Sequence, residues 1–287
     1  MAEEVWMLQT KKADFKQIGA RFRIDPVTAR IIRNRGIEGE AAIDRYLNGT
    51  LDDLYDPMLL KDMERAVSIL CEAVDTGKKI RIVGDYDIDG VCSTYILLQA
   101  FERLRSDVDF EIPDRIKDGY GINESIIEQA HADGVEVILT CDNGISAFHQ
   151  VELAKKYGMT VVITDHHEVP LDGEKEKIPP ADAVIDPKQA DCPYPFPEIC
   201  GAVVAYKLVQ VLYARRGVPQ MEWLDLLEFA AIATVGDVMR LQDENRILVK
   251  YGLKKMAQTK NLGLRRLAEK NNLDLGAITA YHIGFVI

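Results

Sequence analysis

The chain has 287 residues, 47% of them hydrophobic, which is enough to bury one large core or two modest ones. Its net charge of −11 is a poor match for a protein that grips nucleic acid over its whole surface, because phosphate binding rests on clustered Lys and Arg. No apolar stretch approaches the roughly 20 residues that cross a bilayer, and the five cysteines form a scattered, odd set with no C-x-x-C pair. Membrane insertion, secretion, a disulfide framework and a thiolate zinc site are all disfavoured, and a reducing cytoplasm fits.

Residues 1–75 read as a helical preface. In "DPVTARIIRNRG", Asp25 is a natural N-cap, Pro26 sits at the first helical position and Gly36 is a stop. Between Lys11 and Gly36 eight basic residues face two acidic ones, a local balance of +6. Such a run is commonly a solvated face, and beside an acidic site it could also steer a polyanion.

From residue 76 onward the texture changes. "KIRIV", "VDFEIP", "VEVILT", "TVVIT" and "ADAVID" alternate with amphipathic segments, the β-α-β pattern of an open, mostly parallel α/β sheet with helices on both faces. The proline-rich "DPKQADCPYPFPE" reads as an ordered loop. Three helical runs follow, "EICGAVVAYKLVQVLYARRG", "MEWLDLLEFAAIATVG" and "DENRILVKYGLKKMAQT", and the chain closes on "YHIGFVI", which looks strand-like. So apolar an end suggests that the polypeptide continues.

Ligands of open parallel sheets bind beyond the carboxyl ends of the strands, so the residues immediately after each strand are the candidates for chemistry. "KIRIV" is followed by Asp85, Asp87 and Asp89, "VEVILT" by Asp142, and "TVVIT" by Asp165, His166 and His167. Asp237, in "TVGDV" after an apolar helix, could close the cluster. Taken singly, each has a plain structural reading: Asp142 suits an N-cap, and paired loop histidines are commonly exposed. An EF-hand reading of "DYDIDG" fails because the twelfth position, which needs a bidentate Glu, holds Ile96. Taken together, so many like charges at one edge call for cations. A carboxylate set with imidazole suits Mg2+ or Mn2+, and there are ligands enough for two ions, with Asp142 the natural bridge.

"GDYDIDG", "CDNGIS", "TDHHEVP" and "TVGDV", in that order, resemble the four motifs of the DHH phosphoesterase family. Within it the chain most resembles the RecJ type of single-strand-specific exonucleases, through "NRGI", "DPMLLKDMERAV", "PDRIKDGYG" and "LQDENR". The resemblance implies that residues 76–287 form the DHH metal-binding domain. Asp87, Asp89, Asp142, His166 and Asp237 would hold two divalent ions, Mn2+ or Mg2+. Asp85 would be an additional ligand or support, and His167 would stand behind the ligands or face phosphate. Arg115 and Tyr120 would meet the substrate's 5′ end. The implied activity is 5′-to-3′ hydrolysis of single-stranded DNA in repair and recombination by a cytoplasmic monomer, with a single-strand-binding protein or a helicase as candidate partners. Short oligonucleotides, cyclic dinucleotides or pyrophosphate are the alternative substrates. The family's second catalytic domain would begin beyond Ile287. Gly236 and Arg240 depart from the Ala and Pro more usual in RecJ-like chains, with small consequences expected.

Overall fold

The computed structural model describes residues 11–116, 119 and 121–286. It divides into two units, residues 1–54 and 55–287.

In the first unit, helices α1 (Phe15–Phe22), α2 (Pro26–Asn34) and α3 (Glu40–Asn48) close around Ile32, Ile43 and Tyr46. Asp25 caps α2 as the sequence predicts, accepting from Val27 N at 2.7 Å. Part of the basic run is locally neutralised: Arg21 pairs with Glu40 and Arg33 with Glu38, each at 2.6 Å, and the Arg30 guanidinium lies over the Phe15 ring.

The second unit begins with α4 (Met63–Thr76) and then winds the sheet. The order is β1 (Ile80–Val83), α5 (Ile88–Arg103), β2 (Val108–Glu111), α6 (Glu124–Ala132), β3 (Val137–Cys141), α7 (Phe148–Lys156) and β4 (Thr160–Thr164). A two-residue hairpin, β5 (Leu171–Asp172) with β6 (Lys175–Glu176), intervenes before β7 (Ala183–Ile185). The main sheet runs β2-β1-β3-β4-β7 and every pairing in it is parallel. Side chains alternate across the pleat, so Ile138, Val161, Ile163 and Val184 join the core shared with α6 and α7, while α5 packs on the strands from the other side. Burial on both faces explains why the strands read as unbroken apolar runs. The open, parallel, two-faced α/β architecture expected from sequence is the one observed.

The C-terminal helices are α8 (Gly201–Arg215), α9 (Gln220–Leu224), α10 (Leu227–Gly236), α11 (Asp243–Met256), α12 (Leu262–Lys270) and α13 (Ala280–Phe285). A buried ion pair, Lys207 Nζ to Glu244 Oε2 at 3.0 Å, ties α8 to α11. The expectation for "YHIGFVI" is corrected here: Tyr281 to Phe285 are helical in α13, not a strand, and Ile287 lies outside the described residues. Thr279 starts the helix, its N–H donating to His282 Nδ1 at 3.1 Å, and seven residues are too few for apolar periodicity to separate helix from strand. No described helix is long and apolar enough to cross a membrane.

Candidate metal centre

The strand order reverses direction between β1 and β3, the place where an open sheet leaves a crevice at its carboxyl edge. β1 leads into that crevice through "GDYDIDG". Gly84 and Gly90 are required by closeness: a Cβ on the first would lie 2.0 Å from Thr94 Oγ1, and one on the second 2.4 Å from the Asp85 carbonyl oxygen. The loop therefore folds tightly onto the first turn of α5. Asp87 caps that helix, Oδ1 accepting from Asp89 N and Gly90 N at 2.9 Å each. Asp89 lies inside the first turn and is buried, with Oδ2 accepting from Gly201 N at 2.7 Å and Oδ1 from Ala202 N at 2.8 Å. The start of α8 is thereby locked to the start of α5.

β3 leads into Asp142, which is buried with a left-handed backbone, φ +61. Helix α7 starts only at Phe148, so the N-cap reading of Asp142 does not hold. Asn143 ties the loop down: its Nδ2 donates to the carbonyls of Val83 and Cys141 at 3.0 and 2.9 Å, and its Oδ1 accepts from Ile122 N at 3.2 Å. β4 ends in Asp165, also buried, which accepts from the backbone N–H groups of Ile145, His166 and His167 at 2.8, 2.7 and 3.3 Å and lies 2.7 Å from His167 Nδ1. Asp237 arrives from the other side as the C-cap of α10. Gly236 lets it come close, since a Cβ there would stand 2.5 Å from Ile88 Cγ2.

These segments meet at His166. Its Nε2 is 3.1 Å from Asp142 Oδ1, 3.4 Å from Asp89 Oδ2 and 3.8 Å from Asp237 Oδ2. Two overlapping groups of possible ligands result, Asp89 with His166 and Asp237, and Asp142 with His166 and His167. Asp87 and Asp85 stand outside both groups. Asp85 is buried, accepts from Gly121 N at 3.2 Å through Oδ1, and leaves Oδ2 without a partner. Arg115 is exposed, with its guanidinium 5.3 Å from the centre of the Tyr86 ring. Tyr120 lies outside the described residues.

The electrostatics are those of a site short of positive charge. Burial, reinforced by Asp89 and Asp87, drives the Asp142 carboxyl far above its usual range and pushes Asp237 up to about 6. Burial lowers His166, which favours the neutral imidazole, the form whose Nε2 offers a lone pair. His167 is shifted the other way, raised chiefly by its hydrogen bond to Asp165. The Lys188 charge is felt weakly at both His166 and Asp237, and Lys188 is paired with Glu168 at 2.9 Å. Clustered carboxylates around a neutral imidazole fit one or two hard divalent cations, whose charge would remove the repulsion that now favours protonation.

Sequence reasoning passed over three participants. Asp186 follows β7 by the same strand-end rule that found the others. It is buried, has Oδ2 unpartnered, and is pushed up to about 7 by burial and by the charge of Asp165. Asn143 was hidden inside "CDNGIS", where only its side-chain bonds to two strands reveal its role. Gly201 gave no signal, because its importance lies in a contact 112 positions from Asp89.

Fold and centre together define an open α/β protein with a carboxylate-and-imidazole cluster at the topological switch point of its sheet. Residues 79–234 match the DHH family, N-terminal domain, and the chain belongs to that family. It is 37% identical over 281 residues to the single-stranded-DNA-specific exonuclease RecJ of Bacillus subtilis strain 168, covering 98% of this chain and 34% of that protein. The corresponding protein of Escherichia coli K12 is 34% identical over 275 residues, covering 92% and 46%. A crystal structure of RecJ in complex with Mn2+ from Thermus thermophilus superposes with a TM-score of 0.75 at 30% identity, over 94% of this chain and 37% of that one. The chain thus spans between a third and a half of the length of the curated relatives it matches.

Proposed function

We propose that the chain is the metal-binding core of a nuclease that hydrolyses single-stranded DNA from the 5′ end, with Mn2+ or Mg2+ as cofactor. The convergence of Asp89, Asp142 and Asp237 on His166 Nε2 carries this reading, and the likeness to RecJ proteins named for that activity supports it. In this proposal Asp87, Asp89, Asp142, His166 and Asp237 hold two divalent ions, Asp142 being shared, and Asp85 supports the loop. Residues 76–287 serve as the metal-binding domain, with residues 1–75 as a helical preface.

Divalent ions bound there supply Lewis acidity toward a phosphodiester and acidity to water. The chain's own groups do the positioning. Asp165 orients the His167 ring and holds its imidazole toward the charged form, which suits it to face a phosphate oxygen. Arg115, exposed beside Tyr86, offers a planar guanidinium to the backbone of a strand, and the aromatic ring offers a base a stacking face; Tyr120 is assigned the same kind of contact from the sequence motif. A single-strand-binding protein or a helicase would be suitable partners for a monomeric enzyme of this kind, and five free cysteines suit a reducing cytoplasm.

The test is incubation of the protein with Mn2+ and 5′-labelled single-stranded DNA, duplex DNA, a cyclic dinucleotide and pyrophosphate, in parallel with His166→Ala. Mononucleotide release from the single strand, abolished by the substitution, is expected. Turnover confined to the cyclic dinucleotide or to pyrophosphate would overturn the assignment.

A further inference from the structure

In the first unit, α1 has eight residues and α2 nine, joined by Arg23, Ile24 and Asp25. The chain turns at Arg23, whose backbone is left-handed with φ 54 and whose N–H donates to the Gly19 carbonyl. Asp25 then caps α2, with Pro26 at its first position. Gly19 makes the turn tight: a Cβ there would lie 2.8 Å from the Ile24 carbonyl oxygen and 3.5 Å from Pro26 N, so a side chain at this position would push α2 away from α1. Helix α3 closes the unit from behind, Ile43 and Tyr46 packing on Ile32 of α2. A helix, a three-residue turn, a second helix and a supporting third are the parts of a helix-turn-helix, whose second helix enters the major groove of duplex DNA.

The outward face of α2 suits that use. Ala29 and Ile32 are buried, while Val27 and Ile31, four residues apart on the opposite side, are 65% and 49% exposed, and Thr28 and Arg30 beside them are exposed as well. A helix with its side chains is about 10–12 Å across, the width of the major groove, where methyl groups meet thymine methyls and Arg meets guanine or phosphate. The surroundings are cationic. Lys16 and Arg30 line an open groove of about 570 Å3 together with Phe15 and Val27, Lys12 is exposed just before it, and Lys11 Nζ lies beside Gly36 at the far end of α2. None of these four cations has an ion-pair partner among the described residues, whereas Arg21 and Arg33 do. Against them stand Asp14 and Asp25, the caps of α1 and α2, so four cations face two carboxylates and the face keeps an excess of two positive charges in a chain whose net charge is −11. A local positive excess around an exposed helix is the electrostatic complement of a phosphate backbone.

We propose that α1, α2 and α3 form a helix-turn-helix module that binds duplex DNA, with α2 in the major groove, Val27, Thr28 and Ile31 against base edges, and Lys16 and Arg30 on the flanking phosphates. Its partner, double-stranded DNA, is not the single strand proposed for the metal centre. The module stands on the geometry of the first unit and does not depend on hydrolysis.

Fluorescence anisotropy with the whole chain in EDTA, which keeps cations from the metal centre, tests the module at about 50 mM salt. A labelled duplex of two helical turns, about 20 base pairs, and a single strand of the same length form separate arms. Saturable binding of the duplex is expected. Arg30→Ala should weaken it roughly tenfold and lower the salt slope by about 0.9, the value of one phosphate contact. Val27→Glu, which turns a carboxylate toward the phosphates, should weaken it about tenfold or more while leaving single-strand binding unchanged. Both positions are exposed, and a thermal melt checks that each variant folds. Lys175→Ala removes an exposed cation from the hairpin of the second unit and should leave duplex binding as it is. Absence of saturable duplex binding, wild-type affinity in Arg30→Ala and Val27→Glu, an equal loss in Lys175→Ala, or equal losses on duplex and single strand would each overturn the module.

Discussion

A single methyl group at Gly201 should separate metal binding from general stability. A Cβ there would lie 2.8 Å from Asp142 Cβ and 2.9 Å from both Asp142 Cα and Oδ1, closer than real Cβ contacts come. The neighbour cannot yield cheaply, because the Gly201 and Ala202 amides are bonded to Asp89 and the Asp142 backbone is already left-handed. Either α8 retracts and stretches the Asp89 bonds, or Asp142 turns away from His166. Overpacking of this kind costs about 1–3 kcal/mol. If the strain is released mainly by displacing Asp142, the same energy appears as a roughly 5- to 150-fold loss of Mn2+ affinity in Gly201→Ala. The loss of free Mn2+ signal in an electron paramagnetic resonance titration measures it, and thermal unfolding in EDTA measures stability. Gly252→Ala is the control. Its Cβ would press to 2.2 Å from Ala231 Cβ between α10 and α11, so it should destabilise at least as much while holding Mn2+ affinity within about threefold. Wild-type affinity in Gly201→Ala, or an equal loss in Gly252→Ala, would refute the coupling of the α8 N-terminus to the metal ligands.

Asp165→Asn should lower Mn2+ affinity or turnover about 10- to 100-fold, because one amide oxygen cannot replace a carboxylate that accepts from three backbone N–H groups and holds His167; an unchanged His167 titration by NMR would contradict this. The pH response follows from the raised carboxyls. In the metal-free protein the contribution of Asp237 to stability is complete below its ordinary 3.8 and is lost as pH rises through about 6, whereas cation binding needs the ionised form. Mn2+ affinity should therefore climb through pH 6 and keep climbing while Asp142 still surrenders its proton, with at least one proton released per chain at pH 6 by calorimetry in two buffers; no release would remove the electrostatic account. Arg115→Ala should weaken single-strand binding uniformly across sequences and reduce the salt slope by about one, with Mn2+ affinity unchanged.

The sheet was legible because both its faces are covered: buried parallel strands leave apolar runs, and the residue after each run lies at the carboxyl edge whatever the details of packing. That rule located Asp142, Asp165 and His166 from one dimension, and applied to "ADAVID" it would also have flagged Asp186. Illegible were the features decided by backbone geometry or by distant approach. Asp87 rather than Asp142 turned out to be a helix cap, since the turn after β3 is left-handed and α7 begins six residues later. "MEWLDLLEFAAIATVG" reads as one helix and is two, broken at Asp225 and Leu226.

Asp89 shows why a ligand's identity is easier to read than its state. Its residue type and its place after β1 are visible in the sequence, yet both of its oxygens are engaged by amides at the start of α8. A helix N-terminus carries partial positive charge, so its amides hold this carboxylate in place. Its Oδ2 also lies 3.4 Å from His166 Nε2. Asp237 has no comparable support from a helix N-terminus, because it caps the C-terminal end of α10, where the partial charge is negative. Burial, with the charges of Asp89 and Asp87, raises Asp237 to about 6 and Asp142 further still, so a cation entering the cluster relieves both carboxylates.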